Sequence, residues 1–151
     1  FVENYLIMSS DDDGTSTGIY SYYVKEIFRT MKYQVGEAVE KDKDSYEVTV
    51  TYEPSDVIIR FTEMLQEESE RIQQKKEEGV YTGTDEEQKQ AMMEEYVAGS
   101  YTFLGEAYSQ MEYQEEEEYT FSVTRGDGNQ PQMSEDEINQ FIEKILLLDK
   151  L

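Results

Sequence analysis

The spacing of apolar residues changes period several times along the chain, and each change marks an expected element. Phe1, Val2, Tyr5, Leu6 and Met8 fall at helical spacing until Ser9-Ser10-Asp11-Asp12-Asp13-Gly14 stops them, which reads as the tail of a helix and a solvated loop. Tyr20, Tyr23, Val24, Ile27, Phe28 and Met31 then recur on one helical face and predict a helix over 19–31. Residues 33–40 are weakly strand-like, and Lys41-Asp42-Lys43-Asp44 supplies a polar turn. Beyond it Tyr46, Val48, Val50 and Tyr52 alternate with Ser45, Glu47, Thr49, Thr51 and Glu53. Period two of this kind describes an antiparallel strand packed on one face and wet on the other, so 33–53 predicts a hairpin.

Pro54 cannot continue the interior of a ladder, and Ser55 or Asp56 can cap a helix whose apolar stripe is Val57, Ile58, Phe61, Met64 and Leu65. From Gln66 to Glu78 only Ile72 is large and apolar. That half of the helix is expected to project beyond the core, supported by pairs such as Glu67 with Arg71. Gly79 and Gly83 break it, and Thr84-Asp85-Glu86-Glu87 has the spacing of a capping box. The helix so opened carries Met92, Tyr96, Phe103, Leu104, Ala107, Tyr108 and Met111, with Gly99 as a kink or close-packing point. Helices 55–78 and 85–112 predict an antiparallel hairpin.

Residues 113–124 return to period two, with Tyr119, Phe121 and Val123 inward. Arg125-Gly126-Asp127-Gly128-Asn129 is a turn by composition, and Ser134-Glu135-Asp136-Glu137 is a second capping box, opening a helix lined by Ile138, Phe141, Ile142, Ile145 and Leu146. The fold class expected is α+β: a small curved antiparallel sheet packed against helices, with a long helical hairpin inserted between strands. Residues 1–151 read as one domain, of which 1–18 are a truncated N-terminal helix and acidic loop. There is no internal repeat, and Glu115 to Glu118 is the low-complexity run.

Composition removes whole classes of chemistry. With no cysteine and no histidine, disulfides, thiolate nucleophiles, the usual zinc and haem ligands and every imidazole-based triad are excluded within these residues. A net charge of −22 over 151 residues repels phosphate backbones and anionic lipid surfaces, so nucleic acid and bare membrane are poor partners. The longest apolar run, Ile145-Leu146-Leu147-Leu148, is far short of the roughly 20 residues that span a bilayer. Because the chain begins with Phe1 and not Met, an upstream segment such as an export signal is expected.

The strand Tyr46–Glu53, the step Glu53-Pro54-Ser55-Asp56-Val57, and Tyr119–Thr124 running into Arg125-Gly126-Asp127-Gly128 together resemble a group of Gram-positive bacterial lipoprotein domains of unknown function. Their fold is cystatin-like, or nuclear-transport-factor-two-like. The resemblance covers residues 19–151 in element order. It implies a curved antiparallel sheet against helices, export, and lipid anchoring through an upstream cysteine, hence an extracellular or cell-surface location. It implies no catalytic residue. One departure is that Gln130-Pro131-Gln132-Met133 stands where such domains carry a Trp and an apolar strand, so the last strand is expected to be short or absent.

Four features invite a functional reading. Ser9 to Ser16, with Gly14 in the sixth place of a calcium loop, puts Asp11 and Asp13 at the third and fifth, but Ser9 and Tyr20 then occupy the first and twelfth, where ligands are needed. A solvated acidic loop is the simpler account. Arg125-Gly126-Asp127 matches an adhesion tripeptide, yet its residues are ordinary turn formers. Glu115 and Glu117 share a strand face with Tyr113, Tyr119 and Phe121 by parity, the arrangement of an acid in an apolar setting; a strand end leaving the core or a bulge explains them as well. Thirteen tyrosines could form a sugar-stacking platform, although core packing with hydroxyls at the rim accounts for most of them, and the seven methionines read as gap fillers.

No catalytic, cofactor-binding or metal-ligating residue is singled out, and no cofactor is expected. The function expected is a noncatalytic module of the cell envelope that engages a protein, a wall component or a small ligand through the sheet or the helical hairpin. The alternatives are a carboxylate-based hydrolase of wall glycans and an acidic cation-binding domain.

Overall fold

The computed structural model describes residues 16–126 and 130–151. The N-terminal helix tail, the loop that begins at Ser9 and the aspartate of the adhesion-like tripeptide lie outside them. The elements in order are α1 (Ser16–Thr30), β1 (Lys32–Asp42), β2 (Ser45–Glu53), α2 (Val57–Glu77), α3 (Asp85–Gln110), β3 (Glu117–Arg125), β4 (Pro131–Met133), α4 (Glu135–Ile145) and a closing 3₁₀ turn, Leu148–Lys150. The fold is α+β; among the described residues there are four helices and one open antiparallel sheet ordered β1-β2-β3-β4. The chain forms two compact units, one from residues up to Arg29 with Ile59–Met111, the other from Thr30–Ile58 with Glu112–Leu151.

The second unit holds the sheet. The turn between β1 and β2 is tighter than the four polar residues suggested, because Asp42 is already paired with Ser45 and only residues 43–44 turn. Asp44 sits at φ 65°, a left-handed conformation that aspartate tolerates better than most residues. Two register shifts interrupt β1, between Val35 and Ala38 and between Glu40 and Asp42. At the first, a side chain on Gly36 would stand 2.7 Å from the Thr49 carbonyl oxygen, so only glycine fits there.

β2 and β3 lie side by side in full register, Tyr46 opposite Val123, Val48 opposite Phe121 and Val50 opposite Tyr119. Their oily positions therefore share one face. On the other face the Thr49 and Thr120 hydroxyls meet at 3.0 Å. α4 closes part of the oily face: the Phe141 ring meets those of Tyr52, Phe121 and Tyr119 at centroid distances of 5.2, 5.3 and 5.7 Å. Val50, Tyr52, Phe121, Ile145 and Leu146 are buried as a result.

β4 is short, as its sequence implied, since Pro131 has no amide hydrogen to donate and Gln132 no apolar side chain to bury. The second capping box is not formed. Ser134 is the N-cap residue of α4 without a side-chain hydrogen bond, and Glu137 instead accepts from the Ser122 amide at 3.2 Å. β4 ends opposite Val123, so the next amide of β3 would otherwise have only water, and the carboxylate takes it.

The points where the chain leaves and re-enters this unit are tied together. The Asp56 and Glu112 backbones bond at 3.1 Å, the Glu112 amide donates to Asp56 Oδ1 at 2.7 Å, and the Gln114 amide donates to the Pro54 carbonyl at 2.7 Å. Of the two candidate caps for α2, Ser55 Oγ lies 3.4 Å from the Val57 amide, and Asp56 takes part in this clasp.

The first unit packs α1, the body of α2 and α3 around Val24, Ile27, Phe61, Ile72, Leu104 and Ala107. α3 opens on the predicted box: the Thr84 hydroxyl accepts from the Glu87 amide and Glu87 accepts from the Thr84 amide. Its polar end runs antiparallel beside α2. The second half of α2 is therefore not bare: Glu68 and Ile72 are buried, and Arg71 pairs with Glu68 and Glu95, not with Glu67. Glu67 lies on the solvent side of the helix, one step round from the face that α3 covers. Gly99 is a close-packing point, since a side chain there would meet the Phe103 ring at 3.0 Å and Glu68 at 3.3 Å.

Candidate functional site

Within the sheet unit, α4 is shorter than the oily face it covers. The end carrying Tyr52, Val50, Tyr119 and Phe121 is closed, and the end carrying Tyr46, Val48 and Val123 is not. What remains is a groove of about 240 Å³ lined by Ala38, Tyr46, Val48, Val123, Thr124, Arg125 and Pro131. Arg125 stands at its rim. Its guanidinium lies 5.3 Å from the Tyr46 ring centroid and 3.8 Å from Asp44, so it is held against the sheet. The Arg125 amide donates to the carbonyl of Asp44, in the turn between β1 and β2, and the Gly126 amide donates to that of Gln130. The arginine of the adhesion-like tripeptide is thus engaged in the fold.

A second cleft, of about 320 Å³, lies at the other end of β1 and β2, where Tyr33, Gln34, Tyr52, Glu53 and Glu116 converge with Lys32. The Lys32 ammonium is 3.9 Å above the Tyr113 ring and 2.8 Å from Glu53. A neutralised lysine of this kind fixes the cleft's shape more than its charge. β1 itself is exposed along all eleven residues and forms one edge of the sheet.

The two acids singled out by parity fall apart structurally. Glu115 precedes β3 and is exposed. Glu117 is the first residue of β3, also exposed, and accepts from the Tyr52 hydroxyl at 2.9 Å. Burial, reinforced by that carboxylate, holds the Tyr52 phenol well above the usual tyrosine range. The Tyr52–Glu117 pair is a lid on the core, and neither acid is enclosed by apolar side chains. Among the described residues there is no group of three or more acids placed to hold a metal ion.

In the first unit the tyrosines form a packed cluster, with Tyr20 against Phe61 and Tyr101 and Tyr23 against Tyr108. Burial, with Tyr101 as a lesser cause, raises the Tyr20 pKa. Core packing thus explains these rings, whereas Tyr22 and Tyr33 are exposed. Met93 and Met133 are exposed as well and do not fill gaps. Sequence reasoning missed Glu95, which gathers Lys75 at 2.6 Å, the Tyr81 hydroxyl at 2.6 Å and Arg71 at 2.5 Å. Only its place on α3 opposite two basic residues of α2 could have found it.

No protein-family model matches the chain, and no curated protein does. Among solved structures the fold is shared with a protein of Bacillus subtilis subsp. subtilis strain 168 described as a "putative lipoprotein (ycdA)", with a TM-score of 0.59 and 15% identity over 95% of this chain and 43% of that one. The chain spans less than half of that protein's length. The likeness is one of fold. No helix among the described residues is long and apolar enough to cross a membrane.

Proposed function

We propose that this chain is a noncatalytic binding module of the bacterial cell envelope, of cystatin-like or nuclear-transport-factor-two-like type, held outside the membrane by a lipid on an upstream cysteine. The observation that carries the binding reading is the half-covered sheet: an apolar face closed by α4 at Tyr52 and Phe121 and open at Tyr46, Val48 and Val123. Apolar concavities with a few polar groups at the rim are where ligands bind, and Arg125 supplies such a group. The absence of histidine and cysteine and the exposure of Glu115 and Glu117 favour recognition over catalysis. The fold shared with the Bacillus protein supports the envelope assignment.

Two measurements test the two halves. The full-length protein, fractionated from its host, is expected in the membrane fraction with a metabolically incorporated lipid label; recovery from the cytosol without label would remove the envelope assignment. Val48→Arg is expected to abolish ligand binding at the groove with the fold intact by circular dichroism. Release of reducing sugar from wall glycan by the unmodified chain would overturn the noncatalytic reading.

A further inference from the structure

We infer that the outer edge of β1 accepts an extended, lysine- or arginine-bearing segment of a partner protein as a fifth strand of the sheet, an inference that rests on the binding-module reading and names its partner. β1 runs for eleven residues at the sheet edge, exposed throughout, so one row of backbone N–H and C=O groups faces solvent. Such a row is a template for another strand. Its side chains are unusual for an edge left to water: Tyr33, Val35 and Val39 are 55, 63 and 55% exposed. Tyr33 and Val35 stand beside Tyr52 and Val50, on the same face that carries the core, so an added strand would extend that oily surface.

Charge selects the occupant. The lysines of β1 are already neutralised by acids of β2, Lys32 by Glu53 and Lys41 by Glu47, each at 2.8 Å. Glu37, Glu40 and Asp42 are exposed on the same strand, and no ion pair to them is formed among the described residues. The edge is therefore acidic in effect. A second copy of the chain would bring another −22 charges to this edge, whereas a basic segment brings charge of the opposite sign. A basic strand with apolar residues at alternate positions satisfies the free backbone row and extends the surface of Tyr33 and Val35, and its cations run along an edge that carries Glu37, Glu40 and Asp42.

The test uses the isotopically labelled full chain and a synthetic peptide alternating lysine with valine or tyrosine, followed by amide chemical shifts and hydrogen exchange. Shifts and slowed exchange confined to β1 are expected. N-methylation of alternate peptide amides is expected to weaken binding roughly tenfold or more, because it removes several strand hydrogen bonds without changing charge. The triple variant Glu37→Lys, Glu40→Lys, Asp42→Lys, all at exposed positions, is expected to lose the peptide while keeping the wild-type circular dichroism spectrum. Equal binding of the N-methylated peptide would overturn the inference, since only a charge attraction would remain. So would shifts centred on Tyr46, Val48 and Val123, which would leave the binding-module reading standing with its site in the groove. Absence of any shift, or self-association that protects β1 without peptide, would overturn it too.

Discussion

Glu95 receives three hydrogen bonds on one carboxylate, and Lys75, Tyr81 and Arg71 in that order hold its pKa down to about 2. Tyr81 responds in the opposite sense, pushed up to about 12 by the same bond. Because the Glu95 carboxyl ionises more readily in the folded chain than in the unfolded one, its contribution is complete above about pH 4.5 and is lost as pH falls toward 2. Glu95→Gln is therefore expected to lower Tm by a few degrees at neutral pH, with the difference from wild type vanishing near pH 2; thermal melts of both chains across that range check it. A difference that stayed constant down to pH 2 would mean that the ionised carboxylate is not what stabilises the cluster. Tyr52 offers a contrast. Tyr52→Phe removes one hydrogen bond but leaves Glu117 in water, so a loss of about 1 kcal/mol in urea unfolding is expected, against about 3–5 kcal/mol for Tyr52→Ala, which empties the site under Phe141.

At the scale of elements, two identical-looking sequence signals have different outcomes. Thr84-Asp85-Glu86-Glu87 closes its box because nothing else competes for Glu87, which lies at an exposed helix start. Ser134-Glu135-Asp136-Glu137 does not, because Glu137 faces β3 and finds the Ser122 amide beyond the end of a three-residue strand. Thr84→Ala is thus expected to cost about 1 kcal/mol, and Ser134→Ala less than about 0.5 kcal/mol, in denaturant unfolding of the two variants. Glu137→Ala is expected to speed hydrogen exchange at the Ser122 amide selectively, as that amide returns to solvent. A capping motif specifies which bonds are possible; the neighbouring strand decides which is made.

For the whole molecule the governing quantity is net charge. At −22 the folded chain repels itself, and the ion pairs between its strands and helices offset only a few of its 35 acids. Sodium chloride shortens the screening length from about 30 Å at 0.01 M to about 8 Å at 0.15 M. Tm is expected to rise over that interval and then level off, and calorimetric scans at several salt concentrations check this. A fall in Tm would mean that the salt bridges outweigh the repulsion. The same charge underlies the inference of a basic partner at the β1 edge, since it disfavours a second acidic copy there.

Among the described residues, the sequence by itself determined most of the elements and the buried faces of β2, β3 and α4. The alternation over Ser45–Glu53, the stripe from Val57 to Leu65 and the glycine breaks at 79 and 83 are local patterns, and local patterns survive the loss of context. It also determined the excluded chemistry, because a residue type that is missing cannot be supplied by folding. What only the tertiary structure decided depends on distances between residues far apart in the chain. That Arg71 pairs with Glu68 and Glu95, that Glu117 is occupied by Tyr52, and that Tyr46 and Val48 line an open groove are matters of which surfaces meet. The open groove and the bare edge are gaps in coverage, and a gap is a property of where neighbours stop, which no single segment encodes.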